Sequence, residues 1–467
     1  MGGGLTAWTA SPARRPNIVL LLLDDLGWRD FACYGHKVHE TPHVDRLAAE
    51  GVKFTNAYAS CPVCSPTRAS IMTGKYPARL QLTDWIPGRK QWPTAKLLVP
   101  KFEQQLPLAE TTVAEALKPL GYRTASIGKW HLGGKGSLPT DHGFDVNVAG
   151  DHRGGIRSYF GPFDVPGLEG STKDDYITEK LTEAAERFIE ESAPRGPFFL
   201  YLPEYTVHIP LNAREAAIEK YRKKIGPNVD FPDPVYAAMV ESFDEALGRI
   251  RKKLAQMKVA DNTVIIVTSD NGGLRYEGGG KRLVTDNSPL RAGKGHLYEG
   301  GIREPLIIYW PGVTKAGSVS DTPCSSIDLL PTIVEMAGGK APRGIDGVSL
   351  APVLRGGAPP KRDALYWHYP HYSNQGGVPS GAIRKGDYKL IEFYEDGRLE
   401  LFNLKDDIGE RRNLVNKEPR KAAELRAQLD RWRKSVRAAM PAPNPNYNPA
   451  QADQKLTGAE PPTPPVS

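Results

Sequence analysis

The chain has 467 residues, 40% of them hydrophobic and 25% charged, and a formal net charge of +7 at pH 7. Its four cysteines are too few for a disulfide scaffold, and no apolar run approaches the roughly 20 residues that cross a bilayer. No run of lysine and arginine is dense enough to indicate nucleic-acid binding, so the charge fits either an anionic substrate or a solvated basic surface. This length predicts one large domain with a smaller appended unit.

Both chain ends differ in composition from the rest. Residues 1–15 lack the apolar stretch of a signal peptide, and we expect a disordered or engineered leader there. Residues 441–467 hold many prolines without apolar periodicity, and we expect a disordered tail. The protein is therefore expected to be cytoplasmic if the chain is complete, and periplasmic or secreted if a signal peptide has been removed.

Strand and helix patterns alternate through residues 16–357. The continuous apolar run from Asn17 to Leu23 is typical of a strand buried on both faces, as in a parallel sheet. Further strands are predicted at 123–127, 198–202, 263–268 and 305–310. Helices are predicted by caps or helical spacing at 41–51, 112–120, 174–191 and 236–254. This alternation predicts an α/β fold with a large, mostly parallel sheet covered by helices on both sides.

Two regions depart from this alternation. Between Gly133 and Gly170 glycine and proline are frequent and no period emerges, which predicts a long surface loop region of the kind that often carries binding residues. In the second region, residues 358–440, the segment 382–404 alternates as strands do, and an amphipathic helix follows from Glu418 to about Ala438. We predict a small C-terminal α+β subdomain with an antiparallel sheet.

The segment from Cys64 to Gly74 has the features of a short helix. Pro66 suits the first turn and Gly74 suits the end. The helix N-terminus would offer free N–H groups to an anion, with Cys64 at its mouth and Arg68 one turn inside. Cys61 and Cys64 also have the C-x-x-C spacing of thioredoxin-like redox sites. Taken alone, the segment permits a redox site, a thiol nucleophile or an inert buried cysteine.

Polar side chains directly follow two of the predicted strands. Asp24 and Asp25 come after the first strand, and Asp270 and Asn271 come just after the strand at 263–268. Such pairs can be plain capping turns, but two strand ends of one open α/β sheet meet at the same edge. Carboxylate and amide oxygens favour Ca²⁺ or Mg²⁺ over Zn²⁺. The sequence therefore predicts a cation site at this edge.

Four basic residues also lie at or beyond strand ends. Lys129 and His131 follow the strand at 123–127, His208 follows the strand at 198–202, and Lys294 lies in a glycine-rich segment. Each residue alone is weak evidence for a functional site, because a loop lysine is usually solvated and a lone histidine is usually structural. The glycines around Lys294 allow close approach of the backbone to a ligand, or simply form turns.

Taken together, these segments resemble the type I sulfatase family. The stretch from Cys64 to Gly74 resembles the first family signature, and Gly121 to His131 resembles the second. Further blocks follow in the family's order at Asp24-Asp25, Asp270 to Gly273, Lys294 to Arg303, Gly386 to Leu390 and Leu401 to Leu404. The resemblance runs from about Pro16 to Leu414 and implies an alkaline-phosphatase-like fold.

The resemblance implies a metal site and a modified nucleophile. In this family the cysteine, here Cys64, is oxidised after translation to formylglycine (3-oxoalanine), whose hydrated aldehyde is the nucleophile. Asp24, Asp25, Asp270 and Asn271 would bind one divalent cation, Ca²⁺ by analogy with Mg²⁺ as the alternative, and position 64 would complete its shell. A formylglycine-generating maturation enzyme would be a transient partner.

The resemblance also implies the roles of the basic residues. Arg68, Lys129 and Lys294 would neutralise the sulfuryl group in the transition state. His208, with or without Lys294, would protonate the leaving alcohol, and His131 would help the second hydroxyl of the hydrate lose its proton so that sulfate is expelled. The implied activity is that of an arylsulfatase-like sulfuric ester hydrolase.

The same residues fit other functions. A phosphonate monoester or phosphodiester hydrolase and a sulfamidase belong to the same superfamily, although histidine-poor metal positions favour sulfate. A non-catalytic protein that binds sulfated glycans with an unmodified Cys64 is the alternative from another class. The presence of His131 and His208 argues against it, because a binder needs no acid for a leaving group.

We expect the substrate to be a sulfated sugar, or an oligosaccharide from which sulfate is removed by exo action. Polar and aromatic side chains on loops are predicted to rim the pocket, or alternatively to pack within the loops: Asp84, Trp85, His152, Arg153, Tyr159, His368 and His371. The sequence does not determine the position of the sulfate on the sugar.

Overall fold

The structure is a computed structural model that describes residues 14–91, 94–226, 232–276 and 283–451. Most of the predicted leader and of the predicted tail therefore lies outside the described residues. None of the described helices combines the length and the apolar character that a bilayer span requires.

The strands and α-helices alternate over most of the chain. The strands are β1 (Asn17–Leu23), β2 (Val52–Tyr58), β3 (Leu97–Leu98), β4 (Arg123–Ile127), β5 (Val146–Val148), β6 (Phe198–Pro203), β7 (Thr263–Ser269), β8 (Arg303–Tyr309), β9 (Ser318–Ser320), β10 (Cys324–Ser325), β11 (Leu365–Tyr369), β12 (Ser380–Lys385), β13 (Tyr388–Phe393), β14 (Leu399–Asn403) and β15 (Ala442–Pro443). The α-helices are α1 (Pro42–Glu50), α2 (Cys64–Thr73), α3 (Pro77–Leu80), α4 (Val113–Leu117), α5 (Ile177–Ser192), α6 (Glu215–Ile225), α7 (Pro234–Gln256), α8 (Glu299–Ile302), α9 (Leu329–Met336), α10 (Ala351–Leu354) and α11 (Pro419–Ser435).

A mixed, mostly parallel sheet forms the centre of the molecule. Within the described residues it has nine strands, in the order β10-β2-β8-β7-β1-β6-β4-β5, with β9 also paired to β2. The central strand β1 is parallel to both β6 and β7, and β8 runs antiparallel to β7 and β2. In the register of β1 and β7, Leu23 is the partner of Ser269, so both strands end at the same level.

Helices cover the sheet on both faces, and every residue of β1 is therefore buried. Val19, Leu21 and Leu23 pack in a core with residues of α1, α5, α6 and α7. Ile18, Leu20 and Leu22 pack on the other face with residues of α2, α4, α9 and α10. The period of two along the strand therefore divides its apolar side chains between two cores. The predicted α/β architecture is confirmed.

The C-terminal subdomain is a four-stranded antiparallel sheet, in the order β11-β12-β13-β14, covered by α11. It lies against the main domain: the indole N–H of Trp367 donates to the carbonyl of Ala59 (2.8 Å), just before the helix that begins at Cys64. The predicted subdomain with an antiparallel sheet is confirmed, and its contacts reach the neighbourhood of α2.

The structure corrects the sequence analysis in several places. β2 escapes prediction because its hydrophobic alternation is interrupted by a bulge between Phe54 and Ala57. The apolar helix α9 is not among the predicted helices, and the short strand β5 lies inside the predicted loop region. The predicted disordered tail contributes β15, which pairs with Leu97 and Leu98.

The N-terminus of α1 offers a test of the packing between helices. Thr41 makes no capping bond with its side chain. Instead Asp244, a buried residue of α7, accepts from the N–H of His43 (3.1 Å) and of Val44 (2.8 Å). Asp244→Ala leaves both N–H groups without this acceptor, so we expect a loss of about 2 kcal/mol in the free energy of unfolding.

The measurement is a chemical-denaturation curve of each variant. Glu245→Ala is the matched control, because Glu245 is the next residue of the same helix and is exposed. Equal stability of the two variants would contradict the capping role of Asp244.

Candidate active site

The ends of β1 and β7 bring three carboxylates and one amide together. Asp24 and Asp25 follow β1, and Asp270 and Asn271 follow β7, as the parallel arrangement predicts. The N–H of Asp270 donates to the carbonyl of Leu23 (3.1 Å), and the N–H of Asp25 donates to Asp270 Oδ1 (3.3 Å). The two strand ends are therefore bonded to each other, and all four polar side chains are buried.

Two cations stabilise the carboxylates of Asp24 and Asp270. Lys129 Nζ lies 2.5 Å from Asp24 Oδ2. Arg68 Nε donates to Asp270 Oδ2 (2.8 Å), and Arg68 Nη1 donates to the carbonyl of Lys129 (2.8 Å). These four side chains have no exposed surface, so each charge is stabilised by the opposite charges and not by water.

Asp25 is the meeting point of a second group. Lys294 Nζ lies 2.7 Å from Asp25 Oδ1 and 2.8 Å from Oδ2, and Asn271 Nδ2 donates to Oδ1 (2.7 Å). His208 Nε2 is 3.6 Å from Oδ2. Although burial raises it, the charge of Lys294 holds the pKa of the Asp25 carboxyl below its ordinary value. Asp25 itself has a φ of +63°, which side-chain-bearing residues rarely adopt.

Cys64 is the first residue of α2, as predicted. The helix ends at Gly74, whose φ is +68° and whose N–H donates to the carbonyl of Ser70. Burial raises the pKa of the Cys64 thiol, and burial also raises that of Cys61 well above its ordinary value. All four cysteines of the chain are unpaired. Because redox and nucleophilic cysteines need an accessible thiolate, this environment does not favour the C-x-x-C interpretation.

His131 is held as a neutral imidazole with one free nitrogen. Its Nε2 lies 2.6 Å from the carbonyl of Ile86, and since a carbonyl only accepts, Nε2 carries the hydrogen. Its Nδ1 is buried without a hydrogen-bond partner among the described residues. Burial and the charge of Lys129 lower the pKa of His131 well below its ordinary value. Nδ1 is therefore available to accept a proton.

His208 has the opposite arrangement. Its Nδ1 lies 2.7 Å from the carbonyl of Ile209 and therefore carries a hydrogen, so Nε2 is the nitrogen that faces Asp25. The side chain is 19% exposed, more than any of the buried charges around it. Burial and the charge of Lys294 lower its pKa. His208 and Lys294 thus approach the same carboxylate at the open side of the site.

The residues around Cys64 fit a divalent cation. Asp24 Oδ1 and Asn271 Oδ1 are buried without a hydrogen-bond partner among the described residues. Ligand atoms of Asp24, Asp270 and Cys64 lie within 4.8 Å of one another. Burial and the charge of Asp24 raise the pKa of Asp270, which a bound cation would offset. The donors are hard oxygens, which suit Ca²⁺ or Mg²⁺.

The glycines near Lys294 serve a purpose that the sequence analysis does not anticipate. A Cβ on Gly272 would lie 2.0 Å from the carbonyl oxygen of Gly300, and a Cβ on Gly301 would lie 2.0 Å from that of His296. The N–H of Gly272 donates to the carbonyl of Gly301 (3.0 Å). These glycines let two backbone segments approach each other, and so place Lys294 beside the turn that carries Asn271.

Two of the predicted rim residues are corrected to structural roles. Tyr159 is buried, and its hydroxyl donates to the carbonyl of His208 (2.8 Å). His368 lies with its ring nitrogens 2.8 Å from the Tyr394 hydroxyl and 3.0 Å from the Ala439 carbonyl, both in the C-terminal subdomain. Tyr159 therefore supports the backbone of a site residue, whereas His368 stabilises the subdomain.

Asp84 and His371 also lie inside the protein. Asp84 Oδ1 accepts from the hydroxyl of Tyr369 and from the N–H of Trp85 (2.9 Å each), and His371 Nε2 is 2.8 Å from Thr83 Oγ1. Burial raises the pKa of Asp84 to about 7. These contacts fix the loop at 83–86 and leave its half-buried member, Trp85, as the one that reaches the surface.

His152 and Arg153 lie on a loop that packs on the site histidines. A Cβ on Gly154 would lie 2.6 Å from His131 Nε2, and one on Gly155 would lie 3.6 Å from His208 Nδ1. His152 is exposed, and Arg153 pairs with Asp151. The structure therefore keeps His152, Arg153 and Trp85 as candidates for substrate contact.

The groups that orient the histidines are not predicted from the sequence. The carbonyl of Ile86 bonds to His131, and the N–H of Ile86 donates to Ser65 Oγ (3.1 Å). Backbone partners carry no signal in a single sequence. Gly154 and Gly155 do give one, because they lie in the loop region that composition marks as a place for binding residues.

A second group of possible metal ligands, Asp30, His36 and His39, lies elsewhere. Both carboxylate oxygens of Asp30 accept from Thr285 Oγ1 (2.9 Å each), and Oδ2 also accepts from the Tyr236 hydroxyl (2.6 Å). The rings of His36 and His39 stack with centroids 3.4 Å apart. Stacked rings cannot direct their in-plane lone pairs at one ion, so this cluster is structural.

Two family models together match residues 16–438. The family model described as Sulfatase matches residues 16–339. The model described as N-sulphoglucosamine sulphohydrolase, C-terminal, matches residues 292–438. The first match contains the main sheet with every residue of the site, and the second contains the C-terminal subdomain with the segment that carries Lys294.

Similar proteins are sulfatases from bacteria and mammals. A sulfatase of Formosa agariphila is 33% identical, and the alignment covers 87% of this chain and 85% of that protein. N-acetylgalactosamine-6-sulfatase of Homo sapiens is 34% identical, with 75% of this chain and 68% of that protein covered.

Solved structures with a similar fold include proteins in complex with saccharides. Ps i-CgsB in complex with k-i-k-neocarrahexaose has a TM-score of 0.77 and 29% identity, covering 90% of this chain and 93% of that one. A structure in complex with its substrate D-glucosamine-2-N,6-O-disulfate has a TM-score of 0.74 and 25% identity, covering 91% and 98%.

The cation site predicts a specific loss of metal affinity. Asp24→Asn removes one negative charge from the oxygen ligands, so we expect Ca²⁺ to bind at least about tenfold more weakly than to wild type. Calorimetric titration of EDTA-treated protein measures the affinity. His39→Gln is the control, and it should leave the Ca²⁺ affinity unchanged. Unchanged affinity in Asp24→Asn, or a loss in His39→Gln, would place the cation elsewhere.

Proposed function

Because the chain belongs to the sulfatase family and resembles proteins named as sulfatases, we propose that it removes sulfate from a sulfated sugar or oligosaccharide with a nucleophile made from Cys64. The observation that carries the proposal is the buried group of opposite charges around Cys64. Asp24, Asp25 and Asp270 face Arg68, Lys129 and Lys294 there, at distances of 2.5 to 2.8 Å in the closest contacts.

The basic side chains act on the sulfuryl group. Arg68, Lys129 and Lys294 are already held in place by carboxylates and by the backbone, so they need no rearrangement when charge develops on the sulfuryl oxygens. Preorganised charge in a water-poor site is the main source of catalysis in such transfers. A hydrated site of flexible lysines would lack this advantage.

Two histidines move the protons, one on each side of the reaction. His208, the more exposed of the two, lies beside Asp25 together with Lys294; in its protonated form, which the Asp25 carboxylate stabilises, it donates the Nε2 hydrogen to the leaving alcohol. His131 offers its free Nδ1 as the acceptor for the proton that must leave when sulfate is released. A protein that only bound sulfated glycans would need neither proton transfer.

The metal and the modified residue complete the proposal. Asp24, Asp25, Asp270 and Asn271 would hold the cation, Ca²⁺ or alternatively Mg²⁺, which would supply positive charge near the sulfuryl group. Formylglycine at position 64 would supply the nucleophilic oxygen through its hydrate. Its formation requires a maturation enzyme as a transient partner that acts on the stretch from Cys64 to Arg68.

The proposed substrate class is supported by similar proteins and by the side chains at the rim of the site. One similar structure holds k-i-k-neocarrahexaose, and another holds D-glucosamine-2-N,6-O-disulfate. Trp85, His152 and Arg153 offer an aromatic face and hydrogen-bond donors at the edge of the site, which are suited to a sugar ring with hydroxyl or sulfate groups. We propose exo action, because the loop with Gly154 and Gly155 packs directly on the histidines and narrows the site.

One observation favours a second candidate. The C-terminal family model is that of N-sulphoglucosamine sulphohydrolase, which places cleavage of an S–N bond beside cleavage of an S–O bond. The sulfuryl group and the basic side chains that bind it, Arg68, Lys129 and Lys294, would be the same in both reactions. The leaving atom distinguishes them, and a substrate panel can therefore decide.

A panel of sulfated mono- and oligosaccharides, N-sulfated glucosamine and nitrophenyl sulfate tests the proposal. We expect inorganic sulfate to be released from at least one O-sulfated sugar, and only from the terminal residue of an oligosaccharide. Ion chromatography measures the sulfate, and Cys64→Ser is the inactive control. Turnover of nitrophenyl sulfate with no sugar cleaved would contradict the substrate class, and release from N-sulfated glucosamine alone would favour the second candidate.

The role of His208 predicts a dependence on the leaving group. A sugar alcohol needs a proton as it leaves, whereas nitrophenolate does not. We therefore expect His208→Ala to lower kcat on a sugar sulfate by about 100-fold, and on nitrophenyl sulfate by less than about tenfold. Steady-state kinetics with both substrates measures the difference. Equal losses on both substrates would show that His208 does not protonate the leaving group.

A further inference from the structure

Lys294 lies on a loop whose inner side is bonded to the site. This lysine loop comprises residues 291–301. The N–H of Lys294 donates to the carbonyl of Gly273 (3.2 Å), and the N–H of Gly295 donates to the carbonyl of Pro62 (2.8 Å). The loop therefore lies between the turn after the metal ligands and the segment that leads into α2.

The outer side of the lysine loop is bonded to the C-terminal subdomain. Glu299 Oε1 lies 2.9 Å from Nζ of Lys389, a residue of β13, and neither side chain has exposed surface. Glu299 Oε2 accepts from the Tyr58 hydroxyl (2.7 Å) and lies 3.1 Å from Arg303 Nη1. Although burial raises it, the charges of Lys389 and Arg303 hold the pKa of Glu299 well below its ordinary value. Glu299 is thus an ionised anchor of the loop.

Glu410, in the segment after β14, holds both ends of the same loop. Its Oε2 accepts from the N–H of Glu299 (2.6 Å), and its backbone carbonyl accepts from Arg291 Nη1 (3.0 Å). Its Oε1 lies 2.9 Å from Lys389 Nζ. The N–H of Gly300 donates to the carbonyl of Arg291 (2.9 Å), which closes the loop between the two held ends.

The backbone of Glu410 supports a role beyond ordinary packing. Its φ is +53°, a region that residues with a side chain rarely adopt, and the residue is fully buried. Ala292, within the lysine loop, has a φ of +60°. Such conformations persist only where surrounding contacts hold them, and they cluster at functional sites. The C-terminal family model, moreover, begins at residue 292 and so joins the lysine loop to the subdomain.

We infer that Glu410 and Lys389 are positioning residues for Lys294: by holding both ends of the lysine loop, they make the C-terminal subdomain a part of the active site. Neither touches the reacting group. Their effect reaches it through the loop backbone, which fixes the distance from Lys294 Nζ to Asp25 and to the sulfuryl group. This inference rests on the role proposed for Lys294.

A double-mutant cycle tests the inference with nitrophenyl sulfate as the probe. Glu410→Gln replaces the carboxylate with an amide, so that an N–H₂ group or a neutral oxygen faces Lys389. We expect kcat to fall by about tenfold to a hundredfold, and KM to change by less than about threefold. In the Lys294→Ala background the same substitution should lower kcat by less than about threefold, because the group that it positions is absent. A residue that only stabilises the fold would give the same factor in both backgrounds.

The matched control is Glu392→Gln. Glu392 is a buried carboxylate on β13, like Lys389, but its ion pairs are to Arg426 and Arg433 within the subdomain. It should leave kcat unchanged. If Glu410→Gln does not fold, as judged by its thermal midpoint, Arg291→Gln replaces it, because Arg291 is half-buried and contacts the Glu410 carbonyl.

The possible outcomes separate this inference from the proposed function. A large loss in Lys294→Ala, with the same factor for Glu410→Gln in both backgrounds, would overturn the inference alone. Equal rates of wild type and Lys294→Ala, or no turnover by aldehyde-bearing wild type, would overturn the proposed function and the inference with it. A loss in Glu410→Gln that disappears in the Lys294→Ala background supports both.

Discussion

The structure depends on the burial of opposite charges at one edge of a sheet. Asp24, Asp25 and Asp270 are neutralised by Arg68, Lys129 and Lys294 at a place that water hardly reaches. Each of these charges would be costly alone, and removing one partner of such a pair typically destabilises more than the pair itself contributes. The parallel register of β1 and β7 makes the arrangement possible, because it ends both strands at the same level. The site and the fold therefore constrain each other.

The same constraint explains the parts of the chain that surround the site. Glycine pairs at 272–273 and 300–301 let two segments approach closely, and a third segment, around Ile86, bonds to His131. The C-terminal subdomain closes the arrangement from outside through Lys389 and Glu410. A sheet edge alone could hold the carboxylates, but the position of the cations relative to them needs these loops. Four residues with positive φ values belong to these segments or to the site itself: Asp25, His131, Ala292 and Glu410.

The sequence predicts those features of the fold and of the site that depend on local patterns of residues. The apolar run at 17–23 and the polar pairs that follow two strands are local, and they suffice for the α/β class and for the convergence of Asp24, Asp25, Asp270 and Asn271. The positions of Tyr159 and His368 depend on hydrogen-bond partners that are distant in sequence. Their aromatic and polar character therefore wrongly predicts that they line the rim of the pocket. The hold of Glu410 on the lysine loop joins residues more than 100 positions apart through a backbone carbonyl and N–H, which no side-chain pattern shows.

We propose that position 64 is an aldehyde in the working protein. Buried beside Asp24 and Asp270, a thiol there has a raised pKa and is a poor nucleophile, whereas an aldehyde hydrate would present an oxygen to the charges around it. Mass spectrometry of the peptide that contains Cys64, taken from an enzymatically active preparation, is the most direct test. We expect the mass of formylglycine. An unmodified thiol in a preparation that turns over sulfate esters would contradict it.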